Sequence, residues 1–273
     1  MDMKKFMFIG LAASALSVCA GDFAAGNMVG LMRVDSKAVR TVVAVPWIKC
    51  NGGDAQAIDV DSIVKTANLT AGDTINILDS GVGAGTFHSW ILVDDEGVKK
   101  WESVLEVVKN GEVGESGDPT GAAVAQGGSF VLARQNPVDG SGNAIPFYLA
   151  GQVGTASSIS QTIVLGTAEA PCYNLVAAPC SDAVNVISFL ANANDGDVIR
   201  VMDSGIQFDY TYSAAESGWG YKKINPLQPW KGAVWTKVET IEVGRGNGFW
   251  YCSHGGAVAP VFTWNSGIPV VAE

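Results

Sequence analysis

One stretch of the chain occurs twice, with the same pattern of turn residues and apolar residues in both copies. Residues 70–81 read Thr-Ala-Gly-Asp-Thr-Ile-Asn-Ile-Leu-Asp-Ser-Gly, and residues 194–205 read Asn-Asp-Gly-Asp-Val-Ile-Arg-Val-Met-Asp-Ser-Gly. Each copy has alternating apolar residues between turn residues, which predicts a β-strand with a turn at both ends. A chain that repeats such a unit is predicted to be a tandem duplication.

Other segments of the two halves also align, at offsets that fall from 133 residues near the start to 114 near the end. The second copy has therefore lost loop residues and kept its strands. Each copy is predicted to contain about six strands. One short helix is also expected in each, at 58–68 and 183–193, because apolar residues there recur at helical spacing. The predicted fold class is mainly β, sandwich- or barrel-like, with repeats at 21–155 and 156–273.

The first 20 residues are typical of a secretory signal peptide. Lys4 and Lys5 precede an apolar run over 6–15, which is too short to cross a membrane, and small residues lead up to Ala20. The sequence therefore predicts export to the periplasm, the outer surface or the medium, with cleavage after Ala20.

The charge balance excludes one class of partner and favours another. The chain carries 27 acidic and 17 basic residues, for a net charge of −10, so no nucleic-acid partner is expected. Only 16% of residues are charged while 48% are hydrophobic, and no further apolar run is long enough for a membrane helix. Such a composition predicts burial of surface in an assembly, through self-association or envelope partners. The predicted edge segments are 27–35 and 260–273, because strand edges without lysines pair readily.

Three short motifs carry a resemblance to a known family. They are Tyr-Asn-Leu-Val-Ala-x-Pro over 173–179, Gly-Asp-x-Ile over 196–199 and Gly-x-Gly-Phe-Trp over 246–250. Together they resemble an uncharacterised family of exported two-repeat β-rich proteins of Verrucomicrobia and related bacteria. The first copy departs from the pattern, since it lacks the Tyr-Asn pair and the Trp. The resemblance implies export and duplication, and it brings no activity with it.

Four cysteines follow the predicted cleavage site: Cys50, Cys172, Cys180 and Cys252. An even number in an exported protein allows two disulfides, and all three pairings are open. Cys172 and Cys180 are not expected to bond to each other, because the extended strand predicted between them would hold their Cα atoms roughly 26 Å apart.

Paired aspartates flank each repeated strand and are the metal-ligand candidates of the sequence. Asp73 and Asp79, and likewise Asp197 and Asp203, share a parity with the apolar residues between them. The structural interpretation is that these carboxylates accept backbone N–H groups of the adjacent turns. The alternative is calcium binding, although no Asp-x-Asp-x-Asp-Gly loop is present.

Histidine is represented by His88 and His254 alone. A Ser–His catalytic pair would need one of them, for example Ser253 with His254. No Gly-x-Ser-x-Gly elbow or other hydrolase signature accompanies them, so no catalytic residue is assigned.

Tryptophan is frequent, and its positions differ in what they predict. Trp250 and Trp264 replace Val131 and Ala150 of the first copy and are assigned to the core. Trp230 and Trp235 lie in a proline-containing insertion of the second copy, where a core role is weaker. Exposed tryptophan offers a rigid platform for sugars or partner proteins, so these two are the ligand-contact candidates.

Three function classes follow from these features. The first is an exported, non-enzymatic structural or cell-surface/envelope assembly protein. The second is a carbohydrate- or protein-binding module that uses the Trp-rich loop of the second repeat. The third is a secreted hydrolase, which no specific feature supports.

Overall fold

The computed structural model describes residues 29–45, 58–59, 64–65, 68–78, 87–103, 123–124, 128–152, 158–180, 182–203, 206–224 and 232–265. These residues form a mainly β protein, as predicted, and the predicted signal peptide lies outside them. We call 29–152 the first half and 158–265 the second half. No helix among the described residues has the length and apolar character needed to cross a membrane.

Ten strands belong to the first half and eleven to the second. The strands of the first half are β1 (Val29–Val34), β2 (Arg40–Ala44), β3 (Ile58–Asp59), β4 (Val64–Lys65), β5 (Thr74–Leu78), β6 (Phe87–Asp95), β7 (Val98–Ser103), β8 (Ala123–Val124), β9 (Ser129–Ala133) and β10 (Phe147–Gln152). Those of the second half are β11 (Ile159–Thr162), β12 (Cys172–Ala177), β13 (Val184–Asn185), β14 (Leu190–Ala191), β15 (Val198–Asp203), β16 (Ile206–Ser213), β17 (Gly218–Ile224), β18 (Ala233–Lys237), β19 (Glu242–Val243), β20 (Gly248–Ser253) and β21 (Val261–Trp264).

The largest sheet of each half is antiparallel and holds the repeated strand in its interior. The first has the order β2-β9-β5-β6-β7, and the second has the order β12-β20-β15-β16-β17-β18. The repeated strands β5 and β15 each pair with the strand that follows them, β6 or β16. On the other side they pair with β9 or β20. Ile75 of β5 and Ile199 of β15 are fully buried.

Smaller sheets complete each half in the same strand order. The first half adds β1-β10-β4 and β3-β8, and the second adds β11-β21-β14 and β13-β19. Strand β18 is the one described strand of the second half without a described counterpart in the first. No sheet in the described part closes on itself.

The core of each half lies between its large sheet and its three-stranded sheet. In the first half, Ile75 and Phe130 of the large sheet pack with Phe147 and Leu149 of β10. The second core is more aromatic and includes Tyr251, Phe262 and the fully buried Trp264, as predicted for Trp264. Phe249 and Phe262 meet edge to face with ring centroids 5.2 Å apart.

The prediction of one short helix per repeat is wrong. Residues 183–193 contain strands β13 and β14 joined by a single 3₁₀ turn, Val186–Phe189, and the described residues of 58–68 include strands β3 and β4. Strand pairing overrides the helical periodicity here, because β13 pairs with β19 and β14 with β21 while Val186 becomes fully buried.

The predicted edge role is correct for one terminal segment and wrong for the other. Strand β1 lies at the edge of its sheet, whereas β21 lies between β11 and β14. The rest of the second segment, 266–273, lies outside the described residues.

The two halves contact each other through the outer faces of their large sheets. The backbone N–H of Ala44 donates to the carbonyl of Gly246 at 2.9 Å, and Val43 forms a bridge with Asn247. Gly248 permits this approach, because a Cβ there would lie 2.6 Å from Cγ1 of Val42 and would also meet the carbonyl oxygen of Val176. A cleft lies beside this contact.

Candidate functional site

Asp73 is a buried acceptor that joins two segments of the first half. Its Oδ2 accepts the N–H of Thr70 at 2.9 Å, and its Oδ1 accepts the N–H of Gln135 at 2.7 Å. The side chain is 1% exposed. The carboxylate therefore fixes the turn before β5 to the segment that follows β9.

Asp197 repeats this arrangement in the second half. Its Oδ2 accepts the N–H of Asn194 at 2.9 Å, and its Oδ1 accepts the N–H of His254 at 3.0 Å. The hydroxyl of Tyr251 adds a third hydrogen bond, to Oδ2 at 2.6 Å. Burial, reinforced by this hydrogen bond to Asp197, raises the pKa of Tyr251 far above its usual range.

These contacts favour a structural role for the two aspartates. The oxygens of Asp73 and Asp197 are engaged by N–H and O–H donors, whereas a calcium site needs them as metal ligands. Asp79 lies outside the described residues, and Asp203 ends β15. Within the described part of the chain, no group of three or more His, Cys, Asp or Glu side chains is arranged to hold a metal ion.

The Ser253 and His254 side chains do not form a catalytic pair in this structure. Ser253 is fully buried, and its Oγ accepts the N–H of Gly255 at 3.3 Å. His254 Nδ1 is buried without a hydrogen-bond partner among the described residues. His88 lies in β6 opposite Ile77, in the other half of the chain.

The described cysteines form no disulfide with one another. Cys172 begins β12 and Cys180 follows its end, as the predicted extended strand requires. Cys172 pairs with Ser253, and Cys252 pairs with Tyr173 one position away, so the two thiols project from opposite faces of the sheet. Burial raises the pKa of both thiols. Cys50 lies outside the described residues.

Of the two ligand-contact candidates, Trp235 is described and Trp230 is not. Trp235 belongs to β18, and its ring lies over Gly220, where a Cβ would come within 2.7 Å of Cε2 and Cζ2. The indole borders an open depression of about 380 Å³. Its other polar neighbours are Asp195, Thr211, Ser213, Glu216 and Lys222.

The cleft between the two large sheets has a volume of about 530 Å³, which is in the range of small-molecule sites. Outward-facing side chains of β2, β5, β6 and β9 form one wall, and those of β15, β16 and β20 form the other. The polar and aromatic lining residues are Arg40, Thr74, Asn76, Phe87, Arg200, Gln207 and Trp250.

Arg200 is held in a fixed orientation on the second wall. Its Nε and Nη2 donate to the two carboxylate oxygens of Asp209, both at 2.8 Å. Its guanidinium carbon lies 6.0 Å from the ring centroid of Tyr173. The hydrogen bond from Arg200 lowers the pKa of Asp209, and the same bond raises the pKa of Arg200.

The prediction that Trp250 belongs to the core is wrong. The residue is half-buried and lines the cleft. Its ring meets Phe87 of the first half edge to face at 6.0 Å between centroids, and Tyr173 of its own sheet at 6.4 Å. The reason is parity, because Phe249 and Tyr251 on either side of it face the core.

The sequence interpretation did not find the cleft. The one feature of the sequence that pointed to the cleft was Arg200, a charged residue at an outward position of a central strand. The first copy has Asn76 at this position. The partners of Arg200 come from other strands, and the opposite wall comes from the other half of the chain.

Comparisons with known proteins identify no relative. No protein-family model, no curated protein and no solved structure matches this chain. The family resemblance of its short motifs therefore stays a prediction.

Proposed function

We propose that the protein is an exported, non-enzymatic structural or cell-surface/envelope protein that is built from a duplicated β unit and assembles with itself through strand β18. The strand orders of the two halves, which match apart from the additional β18, support the duplication. The observation that carries the assembly proposal is the outer side of β18, because β17 is the one described strand that pairs with it.

Strand β18 has the properties of an open edge. Its residues Ala-Val-Trp-Thr-Lys favour a strand, and the Val234 side chain is 61% exposed. No described strand covers the other side of β18, and a strand with such an uncovered side can pair with another chain. The other large sheet ends in β7, where the exposed Lys100 disfavours pairing at the edge. A second copy of β18 is therefore the partner that we propose for this edge.

The oligomeric state of the purified protein tests this function. Sedimentation analysis should show a dimer or larger assembly, and Val234→Lys should shift it towards monomer because a charge then opposes pairing at the edge. Val258→Lys, at a similarly exposed valine in a loop, is the matched control and should leave the assembly intact. A monomer at all concentrations would contradict the proposal.

The export part of the proposal has its own test. N-terminal sequencing of the exported protein should give a sequence that begins at Gly21.

The second candidate function is a carbohydrate- or protein-binding module centred on Trp235. It is favoured by the position of this indole beside an open depression with carboxylate, hydroxyl and ammonium groups around it. A glycan-array signal that Trp235→Ala abolishes and Val234→Lys preserves would support this function over assembly.

A further inference from the structure

The cleft between the large sheets brings two arginines and a tryptophan together from separate parts of the chain. Arg40 comes from β2 in the first half, while Arg200 and Trp250 come from β15 and β20 in the second. This site is distinct from the β18 edge, so an inference about it goes beyond the assembly function and does not depend on it.

The Arg40 guanidinium has no counter-ion among the described residues. Its side chain is exposed, and it forms no hydrogen bond or ion pair with any other side chain or backbone group in the described part of the chain. A guanidinium beside a concave site in a chain of net charge −10 offers a local attraction for an anion.

Arg200 supplies a second donor that is oriented before any ligand arrives. Asp209 accepts from Nε and Nη2, so no described residue engages Nη1. Because the ion pair and the Tyr173 ring already fix this side chain, binding through Nη1 would cost little additional conformational entropy.

Fixed polar groups on both walls match the hydroxyl groups of a sugar. Asn76 Oδ1 accepts the hydroxyl of Ser89 at 2.7 Å, which orients its amide towards Thr74. Gln207 Nε2 donates to Asp209 at 3.1 Å, which leaves its Oε1 as an acceptor. Trp250 adds an apolar surface for a ring, held by Phe87 and Tyr173.

The walls also argue against a peptide strand as the occupant. They are faces of sheets, and the backbone groups of β5, β9, β15 and β20 are used in pairing with neighbouring strands. A peptide could therefore not pair with these four strands from within the cleft.

We propose that this cleft binds an acidic oligosaccharide of the uronic-acid type. A sugar carboxylate pairs with Arg40 and with Nη1 of Arg200, a sugar ring packs on Trp250, and ring hydroxyls bond to Asn76 and Gln207. No covalent step is involved.

Calorimetric titration with oligogalacturonates of defined length tests this proposal, with neutral maltooligosaccharides of the same length as the comparison. We expect saturable binding of the acidic oligomers, weaker at about 0.5 M than at about 0.05 M salt. Arg40→Gln should weaken binding about tenfold by removing a charge-assisted hydrogen bond. Trp250→Val, which installs the residue type of position 131, should weaken it by a similar factor.

Two variants serve as matched controls. Arg33→Gln removes an arginine of β1 that already pairs with Asp35, and Trp235→Ala removes the tryptophan of the other depression. Both should bind normally, and circular dichroism should show that every variant is folded. Absence of binding, equal binding of neutral oligomers, wild-type affinity in Arg40→Gln, or loss of binding in Trp235→Ala would each overturn the proposal. Arg40→Gln is the decisive variant, because the exposed Arg40 side chain has no described partner and can be changed without disturbing the fold.

Discussion

At the scale of single residues, the most informative feature of the sequence is a pair of buried aspartates. The aspartate of each repeated Gly-Asp pair, Asp73 or Asp197, accepts one N–H from the turn before its strand and one from the segment that follows β9 or β20. A buried backbone donor without an acceptor is costly, so a carboxylate at this position joins two distant segments. The repeated Gly-Asp therefore reflects the stability of the fold.

Asp197→Ala should lower the free energy of unfolding by about 3 kcal/mol, because two backbone N–H groups and the Tyr251 hydroxyl lose their acceptor. Tyr251→Phe removes only the third bond and should cost about 1.5 kcal/mol. Urea unfolding followed by tryptophan fluorescence measures both losses.

The control for these variants is Asp139→Ala. Asp139 accepts the N–H groups of Ser141 and Asn143 in an exposed turn, where water can replace it. Its loss should be clearly smaller than that of Asp197→Ala. Equal losses would contradict the assignment of Asp197 as a buried structural acceptor.

At the scale of elements, the strands were predictable and the register of one pair was not. In the sequence, residues 87–94 align with residues 208–215 at an offset of 121, which places Phe87 over Phe208. In the structure Ile75 pairs with Trp90 and Ile199 with Tyr210, so if the two isoleucines are equivalent, Phe87 corresponds to Gln207. A shift of one residue moves a side chain to the other face of a sheet.

This shift explains why the candidate site was missed. With the observed register, Phe87 and Gln207 both face the cleft, and Ser89 corresponds to Asp209. The Asn76–Ser89 hydrogen bond of the first half is then replaced in the second by the ion pair of Arg200 and Asp209. Alternation of apolar and polar residues fits either register, and the loop that decides it differs in length between the copies.

The Arg200–Asp209 pair, which links β15 to β16, should make stability depend on pH in the acidic range. Arg200 lowers the pKa of Asp209, so the pair stabilises the folded state above the ordinary carboxyl pKa near 3.8 and ceases to do so as pH falls through the lower folded value. Asp209→Asn should cost roughly 0.5 kcal/mol at pH 7, as expected for a partly exposed pair.

Urea unfolding of the Asp209→Asn variant and its parent, at about pH 7 and below about pH 4, measures this dependence. The lower pH is chosen because it is close to the ordinary pKa of a carboxyl group. The difference between the two proteins should shrink at the lower pH. Ser89→Ala, which removes the uncharged counterpart, should give a difference that does not change with pH. A difference for Asp209→Asn that is constant or larger in acid would contradict the linkage.

At the scale of the whole molecule, the contact between the halves could not be predicted from the repeat. Identical units carry identical patterns, yet the contact pairs unlike positions, with Ala44 and Val42 of the first half against Gly246 and Gly248 of the second. Gly248 corresponds in the alignment to Ser129 of the first half, so this contact site is specific to the second copy. From the sequence, an outward-facing apolar residue such as Val42 cannot be distinguished from a solvent-exposed residue of an ordinary strand. Its burial becomes evident only when the second sheet that covers it is known.

Replacement of Val42 by lysine should separate the two halves while each keeps its own core. Val42 is 5% exposed and faces Gly248 rather than the core of the first half, so the variant loses about 2 kcal/mol of apolar burial at the contact. The new ammonium group would also lie on the face that carries Arg40, opposite Arg200, and like charges would oppose closure. Calorimetry should then resolve two unfolding transitions in place of one, and small-angle scattering should show a larger radius of gyration. The control is Val138→Lys, at an exposed valine in a loop of the first half, which should preserve the single transition. A Val42→Lys protein with one transition and an unchanged radius of gyration would show that the association of the halves does not depend on this contact.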